Sequence, residues 1–97
     1  MTATPRVVST KRFDRSYRRY VGRDRVRRER VDAALRRLAA DVNEPGLRTH
    51  PLAGELADTM ACSCGYDCRI VFRVDTNAKD KTREIILLNV GTHDEVY

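Results

Sequence analysis

At 97 residues, 41% of them hydrophobic and 34% charged, the chain has material for one modest hydrophobic core and not for two. No stretch approaches the roughly 20 consecutive apolar residues of a membrane span, and the basic N-terminus lacks the apolar segment and small-residue cleavage site of a secretory signal, so a cytoplasmic protein with no membrane partner is expected. The net charge of +5 is unevenly spread, because residues 6–37 hold thirteen Lys or Arg against four acids, a local +9 that leaves the remainder at −4; this favours a polyanionic partner, nucleic acid first, over a merely solvated basic surface.

No internal repeat, low-complexity tract or linker interrupts residues 1–97, which are read as a single domain. Residues 5–9, Pro-Arg-Val-Val-Ser, read as a first strand, after which Ser9 or Thr10 caps a helix. In that helix Phe13, Tyr17, Tyr20 and Val21 fall at i, i+4, i+7 and i+8 and form one apolar stripe flanked by Arg12, Arg15, Arg18 and Arg19. The tyrosines of the stripe are therefore expected in the core rather than as base-stacking platforms. Gly22 breaks the pattern, and Asp24 caps a second helix running to about Asp41, with Val31, Leu35, Leu38 and Val42 on its buried side and Ala34 and Ala39 beside them. Residues 43–54 are a loop. Three strands follow, an irregular one over 55–63, an alternating one over 67–75, and one over 84–90 that is apolar on both sides and belongs in the interior of a sheet. Residues 77–82, all polar but for Ala78, are a hairpin turn. The order is βααβββ, an α+β fold with a small, antiparallel-rich sheet and a helical hairpin packed on one face.

Cys62, Cys64 and Cys68 are odd in number and crowd into seven residues, so they form no disulfide framework and are expected as reduced, half-buried thiols. Their C-x-C-x3-C spacing departs from the usual zinc patterns. Although His50 or His93 could complete a ligand set, no metal and no other cofactor is expected.

Alternation in the second strand of this group turns Cys68, Ile70, Phe72 and Val74 toward the helices and Asp67, Arg69, Val71 and Arg73 away from them. A carboxylate and two guanidiniums would then line an open face. The closing Gly-Thr-His-Asp-Glu-Val-Tyr, residues 91–97, follows the last strand, and His50 lies in the loop entering the same sheet. His93 and Tyr97 are thus expected to fold back over that face.

Three stretches, Thr49-His-Pro-Leu-Ala-Gly, Asp67-Cys-Arg-Ile-Val-Phe-Arg and Ile86-Leu-Leu-Asn-Val-Gly-Thr-His-Asp-Glu-Val-Tyr, together resemble the RelE/ParE superfamily of bacterial toxins from type II toxin–antitoxin modules, in particular the YafQ-like and RelE-like messenger-RNA interferases. The match spans nearly the whole chain, and βααβββ is the order of that family. The resemblance implies an endoribonuclease that enters the ribosomal A site and cuts messenger RNA there until a cognate antitoxin sequesters it. It also implies that operator DNA is bound by the toxin–antitoxin complex and not by the free toxin. Carried over motif by motif, His50, Asp67, His93 and Tyr97 contribute to cleavage, and Arg69 matches an arginine that contacts phosphate in RelE-like members. Several YafQ-like toxins carry a further histidine four residues before the strand aspartate, where this chain has Ser63.

The chemistry of that set is coherent without a metal. Cleavage needs a base for the 2′-hydroxyl proton, an acid for the leaving 5′-oxygen, and cations for the charge growing on phosphorus. His50 or Asp67 would be the base, His93 the acid, Arg69 with Arg73 the phosphate clamps, and Tyr97 would stack a base or orient the substrate. Three alternatives share parts of this sequence logic. A ParE-like poison of DNA gyrase has the same fold but usually lacks the closing G-T-H and the paired histidines. A non-catalytic RNA- or ribosome-binding module would use the basic helices alone, and a metal-binding regulator would use the cysteines.

Overall fold

A computed structural model describes residues 5–52 and 59–97. Its five strands, β1 (Arg6–Ser9), β2 (His50–Pro51), β3 (Met60–Ser63), β4 (Arg69–Thr76) and β5 (Arg83–Gly91), form one sheet in the order β1-β5-β4-β3-β2. β1 runs parallel to β5 with Val8 opposite Ile86, and every other neighbouring pair is antiparallel. The interior place expected for the strand that is apolar on both sides is the place β5 takes. Its Ile85, Leu87 and Val90 join the main core, while Leu88 packs on the opposite face.

The helices start where their caps predict. Thr10, rather than Ser9, caps α1 (Lys11–Val21): its Oγ1 accepts from the Phe13 amide at 3.1 Å and donates to the Leu87 carbonyl at 2.8 Å, so one hydroxyl both starts the helix and ties it to β5. Asp24 caps α2 (Arg25–Ala40) through the Arg27 amide at 3.1 Å. Gly22 makes the tight turn between them at φ +49°, a region where a side chain is disfavoured. The two tyrosines turn inward as expected. Tyr17 donates to Asp32 Oδ1 at 2.8 Å across the helical hairpin, and the Arg27 guanidinium lies 4.5 Å over the Tyr20 ring.

Phe13, Val31, Leu38, Ile70, Phe72 and Ile85 fill the main core between the hairpin and one face of the sheet. Burying each of the larger ones contributes about 1.5–3 kcal/mol, so this layer carries most of the fold. A smaller cluster of Ala61, Val71 and Val96, with Leu52 and Leu88 against it, sits on the other face.

Three features depart from the sequence expectations, and one expected strand lies partly outside the described residues. His50 and Pro51 form a two-residue edge strand opposite Ala61 and Met60, not loop; so short a segment has no periodicity to read, and an edge tolerates proline. Of the strand expected over 55–63, β3 covers Met60–Ser63, and residues 55–58 lie outside the described residues. β4 begins at Arg69, and Asp67 stands in the turn before it at φ +51°. The closing residues, expected to fold back over the sheet, do so as a third α-helix, α3 (His93–Val96), where no helix was expected. A register shift between Val71 and Phe72 marks an irregularity where β5 passes β4, and the Val90 amide there donates to Ser16 Oγ at 3.1 Å and Asn89 Oδ1 at 3.0 Å.

The cysteine expectation is corrected. Cys64 and Cys68 are disulfide-bonded with Cα atoms 4.9 Å apart, leaving Cys62 as the free thiol. Counting cysteines excludes a framework but says nothing about a bond inside one hairpin. Here the Cys64 amide donates to the Cys68 carbonyl at 2.9 Å and sets the two residues face to face. The bond also removes two of the three thiolates from any metal-ligand set.

Candidate active site

The site assembles at the end of the sheet where β3 turns into β4 and β5 runs out. Arg69, the first residue of β4, is held by the turn beside it, its Nη1 donating to the carbonyls of Cys68 at 2.8 Å and Gly65 at 3.3 Å and reaching Ser63 Oγ at 3.5 Å. Ser63 therefore helps to seat the arginine. Asp67 uses its left-handed conformation to aim Oδ1 at the His93 amide, 3.0 Å away. That amide is one of the unpaired donors at the start of a helix, so the carboxylate fixes where α3 begins.

A one-turn helix has little stability of its own, and α3 rests on its fastenings. Thr92 and Glu95 form a capping box, with Thr92 Oγ1 accepting from the Glu95 amide at 3.3 Å and Glu95 Oε1 accepting from the Thr92 amide at 2.8 Å. The Thr92 amide, aided by Arg19 at 3.8 Å, holds the Glu95 carboxyl below the usual glutamate range despite some desolvation. Val96 inserts into the cluster with Ala61 and Val71. So fastened, α3 presents His93 and Tyr97 on one side, their rings edge to face with centroids 4.6 Å apart and planes at 80°.

Tyr97 Oη lies 3.5 Å from His50 Nε2. His50 Nδ1 is 3.0 Å from the Arg48 carbonyl. A carbonyl only accepts, so this contact assigns the ring proton to Nδ1 and leaves the Nε2 lone pair facing the tyrosine. Burial raises the Tyr97 phenol above the ordinary tyrosine value, an effect Arg69 partly offsets, so the hydroxyl keeps its proton at neutral pH. His93 Nδ1 lies 3.6 Å from Asp94 Oδ1, a contact that becomes an ion pair when the ring is protonated.

His50, Asp67, Arg69, His93 and Tyr97 are thus brought together from β2, the β3–β4 turn, β4 and α3. Arg73 is not. It stands four residues further along β4, about 13 Å at strand rise, and pairs with Asp75 at 3.2 Å. Other cations take its place. A cleft of about 840 Å³ opens between α2 and the β3–β4 turn, and Asp67, Arg69 and His93 share its lining with Arg30, Arg37, Arg48 and Tyr66. Tyr66 is 93% exposed. Sequence reading missed Arg30 and Arg37 as site residues, although their spacing of seven, with Ala33 and Ala34 between, sets two guanidiniums on one helix face above a small-residue floor. Nothing in the local sequence marks Arg48 or Tyr66. Among the described residues no group of three or more His, Cys, Asp and Glu gathers to hold a metal ion, and no helix is long and apolar enough to cross a membrane.

Comparison with known proteins bears on fold and family. Among curated protein sequences none matches. The structure is similar to the YoeB/ParE toxin from Agrobacterium tumefaciens, with a TM-score of 0.72 and 18% identity over 91% of this chain and 98% of that one. It is similar also to a chain of the Escherichia coli DinJ–YafQ complex, with a TM-score of 0.68 and 14% identity over 96% and 98% of the two chains. A third likeness is to the toxin–antitoxin complex RelBE2 from Mycobacterium tuberculosis, with a TM-score of 0.59 and 24% identity over 94% and 100%. At such identities these likenesses speak for the fold, an open α+β sheet with its helical hairpin. Family membership rests on the sequence: residues 5–97 match the model of the YafQ bacterial toxin of type II toxin–antitoxin systems. The chain belongs to the YafQ family of type II toxin–antitoxin toxins.

Proposed function

We propose that this toxin is an endoribonuclease that cuts messenger RNA in the ribosomal A site, with His50 as general base, His93 as general acid and Arg69 as phosphate ligand. The observation that carries the reading is the meeting of both histidines of the chain at one tyrosine, Tyr97, 3.5 Å from His50 Nε2 and in ring contact with His93. In the proposed reaction His50 Nε2 takes the proton of the ribose 2′-hydroxyl, and the 2′-oxygen attacks phosphorus. The bond to the 5′-oxygen breaks as His93 delivers a proton to it. The products are a 2′,3′-cyclic phosphate and a 5′-hydroxyl. Arg69, whose guanidinium is seated by three neutral oxygens and no carboxylate among the described residues, stabilises the phosphorane charge. Both proton transfers have side-chain agents, so the scheme calls for neither metal nor cofactor.

Asp67 serves in this scheme as a positioning group, because one carboxylate oxygen is already engaged by the His93 amide. Tyr97 orients His50 and His93. The arginine-lined cleft gives the strand leaving the site a cationic path, with Tyr66 as an exposed ring for a base to stack on. The same cationic half, +9 over residues 6–37, suits the acidic segment of a cognate antitoxin, and the similar Mycobacterium tuberculosis structure is itself a toxin–antitoxin complex. Operator DNA would be bound by that complex alone. Ribosomes place the activity in the cytoplasm.

The test is to program ribosomes with a defined message, add protein, and map new 5′ ends. Wild-type toxin should produce cuts within the A-site codon, and His93→Ala and His50→Ala should each lower the rate by about 10²-fold or more. An intact message with wild-type protein overturns the reading. Equal cleavage by either variant removes that histidine from the mechanism, and gyrase-dependent DNA breaks would move the toxin to the ParE-like class.

A further inference from the structure

We propose that the Cys64–Cys68 disulfide is a positioning element of the active site, such that reduction by a dithiol slows message cleavage and reoxidation restores it. The inference rests on the nuclease reading above and assigns that site a redox regulation.

The bond closes a five-residue loop, and much of the site hangs from that loop. Asp67, within it, supplies the acceptor that fixes the first amide of α3 and hence His93 and Tyr97. The loop carbonyls of Gly65 and Cys68 seat the Arg69 guanidinium. Tyr66, also within it, projects into the cleft lining. Two hydrogen bonds, Cys64 amide to Cys68 carbonyl and Cys68 amide to Gly65 carbonyl, join the strand ends beside the disulfide. The second closes the four-residue turn in which Asp67 takes φ +51°, a region uncommon for residues other than glycine, and such a turn needs its ends held at a fixed separation. A covalent link between the two residues flanking the turn supplies that constraint. On its outer side the loop is braced by Arg30, whose Cδ would lie only 3.1 Å from a Cβ at Gly65, so α2 and the loop are in direct contact.

In the reductive step two electrons and two protons pass from the dithiol. The S–S bond breaks, thiols form at Cys64 and Cys68, and the reagent closes to its own disulfide. Access is from the cleft, where Cys64 is part of the lining while Cys68 is fully buried. Cys62 is a poor competitor for exchange, since burial pushes its thiol up to about 12 and keeps it protonated. A reducing thiol pool thus leaves Asp67 free to leave its left-handed well, and an oxidising one locks it.

The experiment uses the full chain. Protein purified without reductant should show one free thiol on denaturation, and three after treatment with dithiothreitol. Single-turnover cleavage of ribosome-bound message should fall at least tenfold on reduction and recover on reoxidation. The His93 amide and Tyr97 ring resonances should move while those of β1 and α1 stay. Cys64→Ser/Cys68→Ser should match the reduced wild type and ignore dithiothreitol; should that variant fail to fold, the redox cycle of the wild type decides. Three free thiols at the outset, equal cleavage by the two forms, unmoved His93 and Tyr97 signals, or loss of the β1 and α1 signals on reduction would each overturn the proposal. If neither form cuts the message, the nuclease reading fails, and positioning is judged on the resonances alone.

Discussion

At the scale of single residues, the carboxylate of Asp67 is the group whose placement differs most from expectation. As a strand residue facing outward it would be a free base, but in the turn one of its oxygens already accepts from the His93 amide at 3.0 Å. A base must lose a proton acceptor to be disabled, whereas a positioning group needs only to keep its hydrogen bond. Asp67→Asn separates the two, since asparagine tolerates positive φ and still offers a side-chain oxygen. Asn at 67 should retain message cleavage to within about tenfold, and Asp67→Ala should lose about 10²-fold, the lower end of what a general catalytic group contributes. Rates measured on the same ribosome-bound message check this. Asparagine as inactive as alanine would return Asp67 to the role of base and leave His50 as its partner.

At the scale of elements, α3 decides whether the site exists. Four residues make one turn, and its ends are held by the capping box, by Asp67 and by Val96 in the small cluster. Removing the cap in Thr92→Ala should cost α3 about 1 kcal/mol, roughly a fivefold change in its closed population. Because α3 contributes nothing to the main core, amide exchange at Val96 and Tyr97 should rise by that factor while the thermal midpoint barely moves. The same helix should loosen in acid. The folded Glu95 carboxyl sits below its usual range, so its contribution is present above the unfolded value and is lost as pH falls through the depressed folded one. Glu95→Gln should flatten that dependence.

The elements also show what the sequence could carry. Caps at Thr10 and Asp24, the apolar stripes of α1 and α2, and the alternation of β4 are local patterns repeated over several turns or residues, and each was legible. β2 and α3 were not, because two or four residues hold no period. What defines them is pairing with Ala61 and Met60 in one case and capping by Thr92 and Glu95 in the other. The site followed the same division. His50, His93 and Tyr97, named from motifs, stand beside one another, Arg73, named from strand alternation alone, pairs with Asp75 away from them, and the cleft arginines emerge only when α2 is set against the β3–β4 turn.

At the scale of the whole molecule, the uneven charge becomes a surface with a direction. Most arginines of α1 and α2 are exposed, and among the described residues only Arg19 and Arg27 of the two helices lie within ion-pair distance of a carboxylate. Counterions therefore crowd that half and are released when a phosphate chain replaces them. Two arginine sets can be told apart by where they stand. Arg30, Arg37 and Arg48 line the cleft beside His93, whereas Arg12 and Arg15 stand at a separate hollow on the α1 side, where Arg19 is already paired with Glu95. On the proposed function a short, uncleavable single-stranded RNA should follow the cleft, and each phosphate neutralised contributes about 0.7 to the slope of log K against log salt. Replacing the three cleft arginines by alanine should therefore lower that slope by about 2, measured as affinity across a potassium chloride series. Replacing Arg12 and Arg15 by alanine should leave the slope for the short RNA unchanged. An equal fall in both would mean that the strand is held by diffuse charge and that the cleft gives it no path.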